Sequence, residues 1–385
     1  MHDLTRVVHH PAVSHDGFAS LTVPTHRAST IVFDGPEAYA SRTQRGPDGY
    51  SYGLHGTPTS RTLEAQLTAL EDGVRTALVP SGQAAIAMIL LTVLLPGDHV
   101  LIPDTAYPPV RGFCENHLGP RGIRHTVYDP MIGAGIDALI EARTRLIWVE
   151  SPGSTTMEIQ DISAIAAAAH ARGALVGCDN TWATPLLFKP LRHGVDFSMQ
   201  ALTKYVGGHG DLLMGSVAVA ELSLHRHLKD TMRMLGIGVS PDDCALALRG
   251  LETMGVRLAH SGAVALDFAR RIATLPAVAR VLHPALPDSP GHANWRRDFR
   301  GASGVFSVVL RPAAPDVVTA ALRRLATFAI GASWGGTRSL IVPMPVDRLV
   351  TPWPDPTPVL RISVGLEDPR DLWADLEGVF ARLEA

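Results

Sequence analysis

From Thr59 onward, short apolar runs alternate with stretches whose apolar residues recur at helical spacing. Leu63, Leu67 and Leu70 fall on one face and predict a helix over Thr59 to Leu70. Apolar runs predict strands at Thr76 to Pro80, Asp98 to Pro103, Arg124 to Tyr128, Thr144 to Glu150, Ala174 to Cys178, Phe197 to Ala201 and Ser216 to Val219. Between them, SGQAAIAMILLTVLL from Ser81 predicts a buried helix, and Val110 to Leu118 and the Ala-rich Asp161 to Arg172 predict two more. Short apolar strands alternating with helices imply a mostly parallel sheet covered on both faces, an α/β architecture.

Past about residue 225 the pattern changes. Pro241 to Ala273 predicts one long helix or two. Strands follow at Val278 to His283, Gly304 to Leu310, Leu340 and Ile341, and Leu360 to Val364, with helices over Asp316 to Ala326 and Asp371 to Leu383. These form a smaller α+β unit. The first 58 residues are rich in Gly, Pro, Ser and Thr and read as an extended arm. The expected organisation is an arm over 1–58, an α/β domain over 59–240 and an α+β domain over 241–385. TPWPDPTP (Thr351 to Pro358) reads as a loop.

Composition narrows the function classes. In 385 residues, 46% hydrophobic and 18% charged content excludes global disorder. A net charge of −3 leaves no footprint for nucleic acid or a polybasic membrane anchor, so the expected partner is a small molecule. The three cysteines, Cys114, Cys178 and Cys244, are too far apart for a zinc site or a disulfide framework, and no metal is expected. The N-terminus has no apolar h-region and no apolar run is long enough to span a bilayer; a cytoplasmic setting is expected.

Lysine usage changes the picture most. Only Lys189, Lys204 and Lys229 occur among 34 basic residues; all others are arginine, which cannot form a Schiff base. Lys189 and Lys229 read as solvated charges. Lys204 differs, because Gly207, Gly208 and Gly210 give it a permissive backbone just past a buried strand. Upstream, Ser81, Gly82 and Gln83 of PSGQAA join a strand to a helix and offer backbone N–H groups to an anion. Asp179 ends the apolar run ALVGC, where an acid is costly to bury without a charged partner such as a protonated pyridine nitrogen. An anion-binding helix start, a buried acid and a lysine together describe a site for pyridoxal 5'-phosphate.

The motifs YGLHGTPT (Tyr52 to Thr59), PSGQAA, DHVLIPDTAYPPVRGFC (Asp98 to Cys114), ESPGSTTMEIQD (Glu150 to Asp161), CDNTWATP (Cys178 to Pro185), TKYVGGHGD (Thr203 to Asp211), ASWGGTRSLI (Ala332 to Ile341) and RISVGLEDPRDLWADL (Arg361 to Leu376) span almost the whole chain. In them the sequence resembles the Cys/Met-metabolism family of fold-type-I PLP-dependent enzymes, and ESPGSTTME and SWGG lean towards its bacterial cystathionine β-lyases. The resemblance implies a homo-oligomer, at least a dimer and expected to be a tetramer. It implies β-elimination from an amino-acid thioether, with γ-chemistry as the alternative and a non-catalytic PLP-binding protein as a remote one. It also implies roles. Lys204 would carry the cofactor and move protons, Asp179 would pair with the ring nitrogen, and Tyr107 would stack on the ring; Lys204 or Tyr107 would be the catalytic group that gives the leaving thiolate its proton. Gly82, Gln83 and Thr203 would hold the phosphate, joined by Tyr52 of a neighbouring subunit. Arg361, Ser333 and Trp334 would bind the substrate carboxylate. His209 would be structural and His55 would face substrate. Leu54 stands where the family usually has an arginine, Ala201 where many members have a serine, and Ala245 where close relatives have a tyrosine.

Overall fold

The computed structural model describes His2, Arg6 and residues 13–46, 48–354 and 359–384. Thr57 opens helix α1 (Pro58–Glu71) with a capping box to Ser60, and Pro58 at the first helical position fits because that position needs no N–H. Strand β1 (Arg75–Val79) runs into α2 (Gly82–Val93), capped by Ser81, whose Oγ accepts from the Ala84 N–H. β2 (His99–Pro103), the short α3 (Pro108–Phe113), β3 (Arg124–Tyr128) and β4 (Thr144–Glu150) follow. Asp161 then caps α4 (Ile162–Ala171), and β5 (Leu175–Asp179), β6 (Phe197–Ala201) and β7 (Gly215–Val219) complete the large sheet.

The seven strands lie in the order β1-β7-β6-β5-β4-β2-β3. All pairings from β3 to β6 are parallel, and β7 is antiparallel to both neighbours. Alternate residues of each strand serve opposite faces. Leu101, Ile147, Val149 and Val176 pack with Leu63 and Leu67 of α1 and Ile165 of α4. Val100, Ile102, Leu146 and Trp148 pack with Ile86, Ile89 and Leu90 of α2 on the other side. Burial on both faces is why these strands read as continuous apolar runs.

The helix predicted over Val110 to Leu118 begins two residues earlier and widens into a π-helical turn at Cys114–Leu118. A second difference is α5 (Leu222–Leu235), which the apolar pattern did not reveal. Only His225, Leu228 and Met232 of α5 are buried, among His, Arg and Lys residues, so the stripe is too narrow to stand out. Lys229, expected to be solvated, lies on this helix 3.6 Å from Glu64, and Lys189 lies 2.8 Å from Asp72. Neither is a free charge.

Pro241–Ile272 forms one helix, α6, of 32 residues. Its first half packs into the core under the large sheet through Cys244, Leu251 and Leu258; its second half enters a different core through Ala265, Phe268 and Ile272. That second core lies against a four-stranded antiparallel sheet of β8 (Val278–Leu282), β9 (Val305–Leu310), β10 (Leu340–Met344) and β11 (Val359–Ser363), in the order β10-β11-β9-β8. Helices α7 (Pro315–Leu322) and α8 (Pro369–Leu383) cover it. Residues 355–358 of the Pro-rich stretch lie outside the described residues.

Beyond β2, the large sheet is tied to the segment that follows β10. The Asp104 carboxylate accepts the backbone N–H groups of Leu349, Val350 and Thr351 at 2.8–2.9 Å. Burial alone would raise its pKa, but these donors outweigh burial and hold the carboxyl below its ordinary value. Alongside, buried Arg348 donates to Glu158 at 2.8 Å. Among the described residues, no helix is long and apolar enough to cross a membrane.

Candidate active site

The carboxyl ends of β1, β4, β5 and β6 open into a cavity of about 690 Å³, closed on the far side by β10, β11 and the segment from Ile330 to Trp334. A cavity of this size at the strand ends of an open α/β sheet suits a small organic ligand. Gly82, Gln83, Tyr107, Asp179, Thr203, Lys204, Ser333, Trp334 and Arg361 all line it. Tyr52 does not: it is half-exposed on the arm beside His55.

Lys204 follows β6 on a tight turn, in which Lys204 N–H bonds to Ala201 O and Gly208 N–H to Lys204 O. The turn needs glycine. Gly208 has φ +71°, and a Cβ there would lie 2.1 Å from the Arg257 guanidinium, which is itself bound to Tyr205 O and Gly250 O. Gly208→Ala is therefore expected to destabilise the protein by about 2 kcal/mol and to loosen the Lys204 turn, read as a lowered melting temperature with reduced cofactor affinity. An unchanged melt would show that the turn tolerates a side chain.

The Lys204 Nζ donates to Ser333 Oγ at 2.7 Å and lies 5.2 Å from the Trp334 ring centroid. Burial, reinforced by the Arg361 charge and opposed by Asp179, brings the amine down to about 8. About a tenth is thus the neutral, nucleophilic amine at pH 7, far more than for an ordinary lysine. Arg361 sits on β11, donates to Ser333 O at 3.4 Å, and has no carboxylate partner among the described residues. A half-buried guanidinium with no carboxylate partner among the described residues, facing a cavity, can receive an incoming carboxylate.

Across the cavity, Asp179 ends β5. Burial raises its pKa, and bonding to Thr181, whose backbone N–H lies 2.9 Å from Oδ1, partly offsets the rise. Directly beside it in the strand register, Glu150 ends β4. Burial and then the neighbouring Asp179 push the Glu150 carboxyl well above its usual value. At the start of α2, the Gly82 and Gln83 N–H groups have no intrahelical acceptor, and a Cβ on Gly82 would lie 2.6 Å from Ala201 Cβ. The Gln83 side-chain oxygen is buried without a partner. The Thr203 hydroxyl is bonded to the Met214 backbone, accepting its N–H and donating to its carbonyl. His209 Nδ1 bonds Gly207 O at 2.7 Å.

Sequence reasoning passed over two features of this site. Glu150 ends the apolar run TRLIWVE just as Asp179 ends ALVGC, so the same argument about a buried terminal acid would have found it. Thr155 and Met157, also lining the cavity, have φ of +69° and +64°, a strain that no residue type advertises.

The residues present fit pyridoxal phosphate. Free N–H groups at a helix start, a partnerless buried amide oxygen, two acids at strand ends and a lysine with a lowered pKa line one cavity. The profile of the family described as Cys/Met metabolism PLP-dependent enzyme matches residues 4–381. A protein of Rhizobium johnstonii is 45% identical over 99% of this chain and 96% of its own. The cystathionine beta-lyase of Salmonella typhimurium is 41% identical over 93% of this chain and 92% of its own. The solved structure of cystathionine gamma synthase from Xanthomonas oryzae pv. oryzae in complex with cystathionine superposes with a TM-score of 0.86, at 29% identity, covering 96% of this chain and 95% of that one.

Proposed function

The chain belongs to the Cys/Met-metabolism family of PLP-dependent enzymes, and from that premise we propose that it is a carbon–sulfur lyase that cleaves L-cystathionine by β-elimination. The observation that carries this reading is that one cavity brings Lys204, its amine lowered to about 8, beside a half-buried Arg361 that has no carboxylate partner among the described residues. One group can move a proton, and the other can fix the carboxylate beside it.

Lys204, Asp179, Tyr107, Gly82, Gln83 and Thr203 would hold the cofactor, with Tyr52 reaching in from a neighbouring subunit. Bound pyridoxal phosphate supplies an electron sink for a carbanion at the substrate Cα. Arg361, with Ser333 and Trp334, holds the α-carboxylate and so orients the Cα–H bond towards Lys204. The neutral Lys204 amine takes the α-proton. The Cβ–S bond then breaks with its electron pair on sulfur, and the proton held by Lys204 passes to the leaving thiolate. Homocysteine departs, and water converts the remaining three-carbon unit to pyruvate and ammonia. Asp179 would pair with the ring nitrogen and so favour the electron-sink form of the ring. In this reading the protein is a homo-oligomer, at least a dimer and a tetramer of two such dimers, and acts in the cytoplasm; the exposure of Tyr52 on the arm leaves it open to a neighbouring subunit.

Incubating the holoenzyme with L-cystathionine and identifying both products tests the reading. Pyruvate with homocysteine is expected. 2-Oxobutyrate with cysteine would replace it with γ-elimination, the reading favoured by the likeness to a γ-synthase structure.

A further inference from the structure

Two carboxyl groups end adjacent strands and open into the same cavity, yet only Asp179 has a use in the reading above. Glu150 makes one contact that bears on the site. Its Oε2 accepts the Tyr107 backbone N–H at 2.6 Å. Tyr107 precedes α3, and the next two residues are Pro108 and Pro109, which have no N–H. The following donor, Val110 N–H, turns back to Tyr107 O. The Glu150 bond is therefore the one that holds the Tyr107 amide itself to the end of the sheet, just after the backbone ties of Thr105 O to Ser154 N–H and of Ala106 N–H to Pro103 O. Two like charges on neighbouring buried strand ends are unfavourable together, so one of them keeps its proton. Asp179 is the one turned towards a cation, Lys204, and stabilised by Thr181.

On the reading that this cavity holds pyridoxal phosphate, we propose that Glu150 is a positioning residue. As an uncharged acid it anchors the Tyr107 turn to the end of β4, keeps the Tyr107 ring at the cavity wall, and leaves Asp179 the single anion of the pair. A protonated carboxyl and a primary amide both offer an acceptor oxygen beside a donor. Glu150→Gln should therefore preserve the arrangement, whereas Glu150→Ala leaves the Tyr107 N–H without an acceptor.

The test compares wild type, Glu150→Gln and Glu150→Ala by the visible circular dichroism of bound cofactor and by the cofactor dissociation constant, with apo-protein melting as a folding control. Glu150→Gln is expected to match wild type within about twofold. Glu150→Ala should weaken cofactor binding about tenfold and diminish the dichroic band, since the band reports how rigidly the ring is held. If Glu150→Ala does not fold, Glu150→Asp takes its place, being a methylene too short to reach the Tyr107 amide, with the same expected loss. Equal losses in Gln and Ala variants would mean that the charge is needed, and would overturn the proposal. So would an Ala variant indistinguishable from wild type. Neither readout requires turnover, so failure of the lyase reading would show separately, as absent pyruvate from the wild type.

Discussion

Lys204→Met is expected to lower kcat by at least about 10³-fold, the loss that follows removal of a positioned proton-transfer group. The same substitution should raise the melting temperature of the apo-protein at pH 7. The Lys204 amine is brought down to about 8 from the ordinary lysine value, chiefly by burial. A lowered lysine pKa means that the folded protein resists holding the proton that the unfolded chain keeps. The penalty is full below pH 8, where both states are protonated, and shrinks as the pH rises from about 8 to the unfolded value of roughly 10.4. The melting advantage of the methionine variant should therefore be on the order of a few degrees at pH 7 and close towards pH 10. Differential scanning calorimetry across that range, with steady-state kinetics alongside, reads both effects. A variant that loses activity but melts below wild type at pH 7 would show that the lysine stabilises its own site.

Arg361→Ala should reduce kcat/KM by about 10²- to 10³-fold, the range for truncating one member of a buried charge pair. The burden should fall mainly on KM. Among the described residues the guanidinium has no carboxylate partner, so its charge would be available to the substrate. Arg361→Lys should recover only part of the loss, because an ammonium cannot make the paired, planar contact. An unchanged KM for the alanine variant would place the substrate carboxylate elsewhere.

Much of this was legible in the sequence, for identifiable reasons. Strands buried on both faces become apolar runs, so β1 to β7 could be read within a residue or two. Residues that must be one type, such as Lys204 in a chain that otherwise avoids lysine, also announce themselves. Helix α5 did not, because half its surface faces water and its apolar stripe is one residue wide per turn. Glu150 was visible but unread: it ends TRLIWVE as Asp179 ends ALVGC, but that the two acids stand side by side depends on the pairing of β4 with β5, a tertiary fact. The resemblance implied a phosphate contact for the Thr203 hydroxyl, but its existing bonds to Met214 could not be read, since they depend on where the chain returns eleven residues later.

The Asp104 clamp has a consequence for how selection among substrates can operate. It ties the end of β2 to the strap that leaves β10, and Arg348 adds a second tie through Glu158. Lys204 follows a strand of one sheet and Arg361 stands on a strand of the other, and these ties join the two sides of the cavity without any ligand. An entering amino acid would therefore meet both groups on walls already linked to each other, and its selection would begin with whether its carboxylate and Cα–H span that spacing.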